Sequence, residues 1–304
     1  MPSVRTTVQV VDVGPEENGR KLQSFLEARL GRLPSGLFMR LVRSGQVRID
    51  GRRCKPFDRV VTGQKVRIPP VNAVPNTTPA IADHELDIVH EDQDMLVVNK
   101  PRGLPVHAGT GWSDSVHDRL KASRPGFTPV PVHRLDRDTS GLLLCAKTHD
   151  FLRSMHQVWP LVRKAYLCHV QGRCTWPDWR TVISDLSKTG AAGQQRVTEG
   201  QGKTAVSHLH VLQARENHSL LLVVLGTGRT HQIRVQLAGI GHPIVGDPKY
   251  GQGQSLMLHA TCLDWPGHLY FRPPTWPTPW AVEGETRNLI EHLLTTAPRK
   301  EGAI

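Results

Sequence analysis

Five short apolar runs constrain the fold of this chain more than any other feature. They are MLVVN (95–99), GLLLCAK (141–147), AYLCHVQG (165–172), SHLHVL (207–212) and SLLLVVLG (219–226). Each is too short for an ordinary helix and is bounded by polar or glycine-containing segments, which marks buried strands. Helical spacing is clear in only a few places, such as FLRSMHQVW (151–159) and THQIRVQLAG (230–239). A regular parallel sheet needs a crossover helix between successive strands, and these do not alternate with the runs. Residues 86–296 are therefore expected to form an α+β domain: a mixed, mostly antiparallel central sheet with flanking helices.

The first seventy residues have a different pattern. A strand with Val8, Val10 and Val11 precedes a helix on which Leu22, Phe25, Leu26 and Leu30 share a face. GRLPSG breaks that helix, and Ser35 is placed to cap a second one, with Leu37, Leu41 and Val42 on its apolar side. Val47 and Ile49 alternate into Asp50-Gly51, a hairpin turn signal, and QKVRIPP supplies a closing strand. Residues 1–70 thus read as a small α+β module. The Pro-, Ala- and Thr-rich segment after it reads as a linker over 71–85, and 297–304 as a frayed tail.

Charge suggests what the module does. The chain carries a formal net charge of +11 and a pI of about 9.8. Residues 1–70 hold fourteen Lys and Arg against six Asp and Glu, a balance of +8. A merely solvated basic surface would be spread more evenly, so a polyanion such as RNA is the expected partner. Arg20, Lys21, Arg40, Arg43, Arg48, Arg52 and Arg53 are the candidate contacts, with Lys55 in the same unit. The five cysteines are scattered and never in a CxxC pair, which fits thiols in a reducing compartment. No signal-peptide core and no apolar window of about eighteen residues appears, so a cytosolic location without a membrane is expected. HLH (208–210) places two imidazoles on one strand face without a third ligand, so no metal site is assigned. Neither a phosphate-binding loop nor a nucleophile elbow is present, and no cofactor is expected.

The densest polar segment is HRLDRDTSG (133–141), which runs straight into LLLCA. Asp136 lies between Arg134 and Arg137, and nearby cations favour its ionised form. An ionised carboxylate is a nucleophile rather than a general acid. Asp138, two residues on, opens the alternative of a paired-carboxylate glycosidase, and a salt-bridged turn is a further reading. Aromatic residues are only 5% of the chain, whereas sugar clefts favour aromatic platforms. GTGRTHQIRVQLAGIGHPIVGDPKYG (226–251) gathers Arg229, His231 and Arg234 around a glycine-rich turn and a helix start. LVRKAYLCHV (161–170) carries Lys164 and Tyr166 on a strand, where Tyr is a rim or core residue by itself.

Taken together, HRLDRDTSGLLLCAKT closely resembles the signature of the RluA-type pseudouridine synthases. NKPRGLPVHAG, KAYLCHVQG, GRTHQIRVQLAGIGHPIVGDPKYG and LMLHA resemble that family's other motifs, in its order, over residues 86–265. Residues 1–70 resemble the S-four type RNA-binding module. With VRIPPV before the linker, the arrangement is most similar to the branch acting on bacterial large-subunit ribosomal RNA. The resemblance implies that Asp136 attacks a flipped-out uridine at carbon 1 of the ribose or at the base. The bond to nitrogen breaks, the uracil turns, and a bond to carbon 5 forms. It implies that Tyr166 packs on the base and moves a proton, that Arg229 pairs with Asp136, and that Arg134 displaces the base from its stack. It also implies a monomer that needs no cofactor. Transfer RNA as the substrate, or a non-catalytic RNA-binding assembly factor, are the alternatives. Residues 176–197 depart from the family pattern, with DLSK in place of a proline-containing segment, and are a candidate for setting substrate choice.

Overall fold

The computed structural model describes residues 7–30, 33, 35–70, 85–108, 114–124, 129–189, 196–282 and 286–298. The chain divides into two compact units, Met1–Ala80 and Ile81–Ile304. The stretch read as a linker lies, apart from Glu85, outside the described residues, as do the tail beyond 298 and the proposed Ser35 side-chain cap.

The first unit contains β1 (Gln9–Asp12), α1 (Leu22–Leu30), α2 (Ser35–Arg43), β2 (Arg48–Ile49), β3 (Arg52–Arg53) and β4 (Lys65–Ile68). Its strands form an antiparallel sheet in the order β1-β4-β2-β3. Leu22, Phe25, Leu26 and Leu30 of α1 are buried, as their spacing predicts. On α2 the buried residues are Phe38, Leu41 and Val42, with Leu37 only partly covered. Phe38 brings more apolar area to the same i, i+3, i+4 stripe, so the face is turned by about one residue from expectation. Asp50 and Gly51 both have positive φ, +48° and +75°, as a two-residue hairpin turn requires. Arg48 faces Arg53 on one side and Arg67 on the other, so three arginines stand in a row across β3, β2 and β4.

The second unit contains β5 (Asp87–Glu91), β6 (Met95–Lys100), α3 (Val116–Ser123), β7 (Val130–Pro131), β8 (Ser140–Ala146), α4 (His149–Val158) and β9 (Arg163–Gln171). It continues through β10 (Arg180–Thr189), β11 (Arg196–Glu199), β12 (Lys203–Ala214), β13 (His218–Leu225) and α5 (Gln232–Gly239). It closes with β14 (Leu258–Trp265), β15 (His268–Phe271) and α6 (Thr286–Thr296). The main sheet runs β11-β10-β12-β13-β9-β14-β8-β6-β5, with β15 added to β14 and β7 to β8. Among the described pairings only β8 with β14 is parallel, so the sheet is mixed and mostly antiparallel, as expected.

The apolar runs are continuous because the central strands are covered on both faces. Leu143, Cys145, Tyr166, Cys168, Leu221 and Val223 point to one side, where Leu237 of α5 and Leu120 of α3 pack. Leu142 and Leu144 point to the other, against Met155 of α4. Leu167, Leu222 and Val224 share that face with Ile290 and Leu294 of α6. The parallel junction explains the glycine that ends HRLDRDTSG. Gly141 has φ +110°, and a Cβ there would lie 2.2 Å from the Ala260 carbonyl oxygen.

Two histidines sit inside this sheet in the neutral form. His259 donates from Nε2 to the Arg272 carbonyl (3.0 Å) and accepts at Nδ1 from the Ser140 hydroxyl (2.8 Å). His169 donates from Nε2 to the Trp280 carbonyl (3.2 Å). Burial pulls both down to about 4. Their unfolded value lies near 6.5, so their stabilising contribution is complete above that pH and is lost as the pH falls toward 4. At pH 5 each costs about 2 kcal/mol relative to pH 7. The thermal unfolding midpoint is expected to drop by several degrees between pH 7 and 5 and to stay level between pH 7 and 8.

Candidate active site

The loop that joins β7 to β8 carries Asp136, and it is held from below. The Lys100 ammonium, fully buried at the end of β6, donates to the carbonyls of Pro101 (2.8 Å), Leu104 (2.8 Å) and Arg137 (3.0 Å). Burial draws this lysine down to about 7, against the pull of Asp138 and Asp136. The Thr139 amide closes a turn onto the Asp136 carbonyl (3.2 Å). That turn sends Asp138 away from Asp136, into a two-bond pair with Arg137 (2.9 Å each). The extended loop that would align the two carboxylates is not formed.

Asp136 opens on a cleft of about 540 Å³ in the second unit. Leu135, Tyr166, Leu225, Ile233 and Leu258 supply its apolar lining, and Arg134, Lys164, Arg229, His231 and Arg234 its cations and imidazole. Asp136 is the one acidic residue among the lining residues. A flat apolar group with an anionic backbone matches this surface. The paired-carboxylate alternative does not, because no second acid stands among the described residues that line the cleft.

Helix α5 supplies the partner of Asp136. It begins at His231, whose φ of +54° is uncommon outside glycine. Gln232 through Leu237 are all buried, so the helix must satisfy its polar side chains internally. Gln236 donates to the Ala205 carbonyl (3.0 Å) and the Ser184 hydroxyl (3.1 Å), and accepts from Ser207 (2.7 Å). Fixed in this way, the helix aims Arg234 between two carboxylates. Its Nε and Nη2 donate to Asp247 at 2.8 and 2.7 Å, and its Nη1 stands 3.4 Å from Asp136 Oδ2. Burial alone would raise the Asp247 carboxyl. The Arg234 hydrogen bonds and charge, with the Lys249 and Tyr250 amides, outweigh burial and hold it below the usual carboxylate range.

Arg229, the expected partner of Asp136, is placed elsewhere. Arg229 is exposed at the cleft rim, and its Nε donates to the Thr204 carbonyl (3.1 Å). Its backbone amide donates to the Gln232 side chain (2.9 Å), five residues before Arg234. The charge that approaches Asp136 comes from the first turn of α5, not from the loop ahead of it.

Tyr166, on β9, is 7% exposed and lines the cleft. Burial, then the negative charge of Asp136, pushes its hydroxyl well above the ordinary value, so it is neutral at physiological pH. Arg134 is exposed and also lines the cleft. Arg20, Lys21, Arg40, Arg43, Arg48, Arg52 and Arg53 are all exposed on the first unit. Two of them are already engaged: Arg20 with Glu17 at 3.5 Å, and Arg48 with the carbonyls of Gly45 and Gly51.

Residues 94–239 match the family model described as RNA pseudouridylate synthase. The chain is 38% identical over 262 residues to the ribosomal large subunit pseudouridine synthase C of Haemophilus influenzae, covering 82% of this chain and 80% of that protein. The chain belongs to the RNA pseudouridylate synthase family.

The same-named protein of Yersinia pestis is 34% identical over the whole of both chains, and that of Escherichia coli strain K12 is 35% identical over 86% of this chain and 90% of its own. The structure of human RNA pseudouridylate synthase domain containing 1 superposes with a TM-score of 0.59 at 26% identity, covering 70% of this chain and 97% of the human one. The domain containing 4 protein shares the fold, with a TM-score of 0.52 at 23% identity over 62% of this chain and 89% of its own. This chain is thus an RNA pseudouridine synthase, an isomerase. Among its described residues no cluster of three or more His, Cys, Asp or Glu is placed to hold a metal ion, and no helix is long and apolar enough to cross a membrane. Sequence reading did not assign roles to Arg234, Asp247 or Lys100. For Arg234 a signal existed: it lies three residues after His231, one helical turn on, so both can face the same point.

Proposed function

We propose that this pseudouridine synthase modifies uridines of bacterial large-subunit ribosomal RNA, with Asp136 as its nucleophile. One arrangement carries the assignment of the nucleophile. Asp136 Oδ2 stands next to Arg234, which is itself held by the buried Asp247, while Oδ1 has no partner among the described residues. A carboxylate that faces a guanidinium through one oxygen and is open at the other is placed to attack. It forms a bond to the ribose or the base, the bond between ribose and nitrogen 1 breaks, and the freed uracil turns above Tyr166. A bond from carbon 1 of the ribose to carbon 5 then forms, the bond to Asp136 breaks and restores the free carboxylate, carbon 5 loses its proton and nitrogen 1 gains one, so the product is an isomer. Tyr166 offers the base a flat apolar surface. Arg134 at the cleft mouth takes the place of the displaced base. Arg229 contributes at the rim, where its charge suits the RNA backbone.

The first unit, residues 1–70, is read as the S-four type RNA-binding module and 86–296 as the catalytic domain. Like charges directly opposite on neighbouring strands repel. The row Arg53–Arg48–Arg67 is relieved by a polyanion, which supports RNA contact through Arg20, Lys21, Arg40, Arg43, Arg48, Arg52 and Arg53. The protein is read as a cytosolic monomer.

Ribosomal RNA as the target rests on the names of the relatives at 34–38% identity. Deleting the gene is expected to remove specific carbodiimide-dependent primer-extension stops from large-subunit ribosomal RNA and to leave transfer RNA unchanged. Losses confined to transfer RNA would overturn the target. Release of tritium from carbon 5 of uridine by the purified protein separates an enzyme from a non-catalytic assembly factor.

A further inference from the structure

We propose that His231 is a positioning residue of this active site: clamped at Nδ1 by Tyr250, it presents Nε2–H to Asp136 Oδ2, so that two donors hold that oxygen and Oδ1 is left to react. The inference rests on Asp136 being the nucleophile.

The contacts of Tyr250 and the facing carboxylate assign the tautomer. The Tyr250 hydroxyl oxygen accepts from the Val197 amide at 3.0 Å, and an amide can only donate. The single hydroxyl hydrogen has one described acceptor, His231 Nδ1 at 2.8 Å. Nδ1 is therefore unprotonated, and the hydrogen of the neutral ring sits on Nε2. That nitrogen lies 3.7 Å from Asp136 Oδ2, on the same oxygen that Arg234 approaches at 3.4 Å.

The groups facing the ring keep it neutral. Burial lowers its proton affinity, Asp136 opposes this, Arg234 and Lys249 reinforce it, and Asp247 opposes it weakly. The aim of the ring is built into the backbone. A φ of +54° costs energy for a residue with a Cβ, and such strain persists only where its surroundings hold it. Here Tyr250 holds it. The Tyr250 amide donates to Asp247 Oδ1 (3.1 Å), and its ring lies 5.3 Å from the Arg234 guanidinium carbon. Both donors to Asp136 thus hang from one buried carboxylate, Asp247. Distances of 3.4 and 3.7 Å are longer than working hydrogen bonds, and they are expected to shorten when substrate fills the cleft.

The test is a single-turnover rate at saturating enzyme, read as tritium released from 5-tritiated total RNA of a strain lacking the gene. At saturation the rate constant does not depend on the folded fraction. His231→Asn tolerates the left-handed backbone but is too short to reach Oδ2. His231→Gln places an amide near the position of Nε2. We expect His231→Asn to slow the step by about 10- to 100-fold, His231→Gln to recover much of that loss, and Tyr250→Phe to slow it in the same direction. RNA affinity should stay within about twofold, as expected for an interaction made with the nucleophile and not with bound RNA. A wild-type rate for His231→Asn would overturn the proposal. So would equal slowing by Asn and Gln, since the carboxylate contact would then not matter. Asp136→Asn runs alongside: turnover by that variant would sink the reading of the nucleophile instead.

Discussion

Asp136→Asn is expected to lower uridine isomerisation by at least about 10⁴-fold, the scale seen when a nucleophile is removed. The amide has the shape of the carboxylate but no lone pair of comparable reactivity, and it carries no charge to pair with Arg234. Little else should change. Asp136 is part-exposed, with 21% of its side chain accessible, and its Oδ1 makes no contact among the described residues. Folding should survive, and so should RNA affinity, which falls to the basic groups. Single-turnover tritium release and a filter-binding titration on the same preparation check both halves. Turnover within about tenfold of the unaltered enzyme would remove Asp136 from the chemistry.

Asp247→Asn is expected to cost about 3 to 5 kcal/mol of stability and to reduce turnover as well. Asp247 is fully buried, and the Arg234 side chain is only 4% exposed. Removing the carboxylate leaves a buried guanidinium with only the longer 3.4 Å contact to Asp136 as counter-charge. The same carboxylate also accepts from the Lys249 and Tyr250 amides at 2.8 and 3.1 Å, so the loop below His231 loosens too. A second variant separates the two effects. Replacing both partners, Arg234→Met with Asp247→Leu, removes the stranded charge, so its unfolding free energy should lie closer to the unaltered protein than that of Asp247→Asn. It should nevertheless be inactive, because the positive charge that faces Asp136 Oδ2 is then gone. Denaturant unfolding of the three proteins decides. If the double variant proved less stable than Asp247→Asn, burial of an unpaired charge would not be the cause.

Much of this protein was legible in one dimension, for local reasons. A buried strand must be apolar along its length, so MLVVN, GLLLCAK and SLLLVVLG announced β6, β8 and β13 without reference to anything distant. Asp50-Gly51 announced its hairpin because only such residues enter the required backbone region cheaply. Asp136 stood out because its cationic neighbours are adjacent in the chain. The small helix α3 was harder to see: its buried residues are Val116 and Leu120, with a Ser115 cap, too few to make a pattern.

What chain order could not settle is which charge meets which. Arg229 and Arg234 are both arginines of one motif, and proximity in sequence favours neither. Tertiary structure chose Arg234, because α5 is anchored through Gln232 and Gln236 and turns its first full helical turn toward the loop before β8. It turned Asp138 away through one local turn, and it placed Asp247 and Tyr250 behind a site 111 and 114 residues from Asp136 in sequence. The sequence by itself determined the sheet and the family, and singled out the aspartate. Only the fold determined the aspartate's surroundings, because electrostatic and hydrogen-bond energies depend on distances of a few ångströms between groups that the chain brings together last.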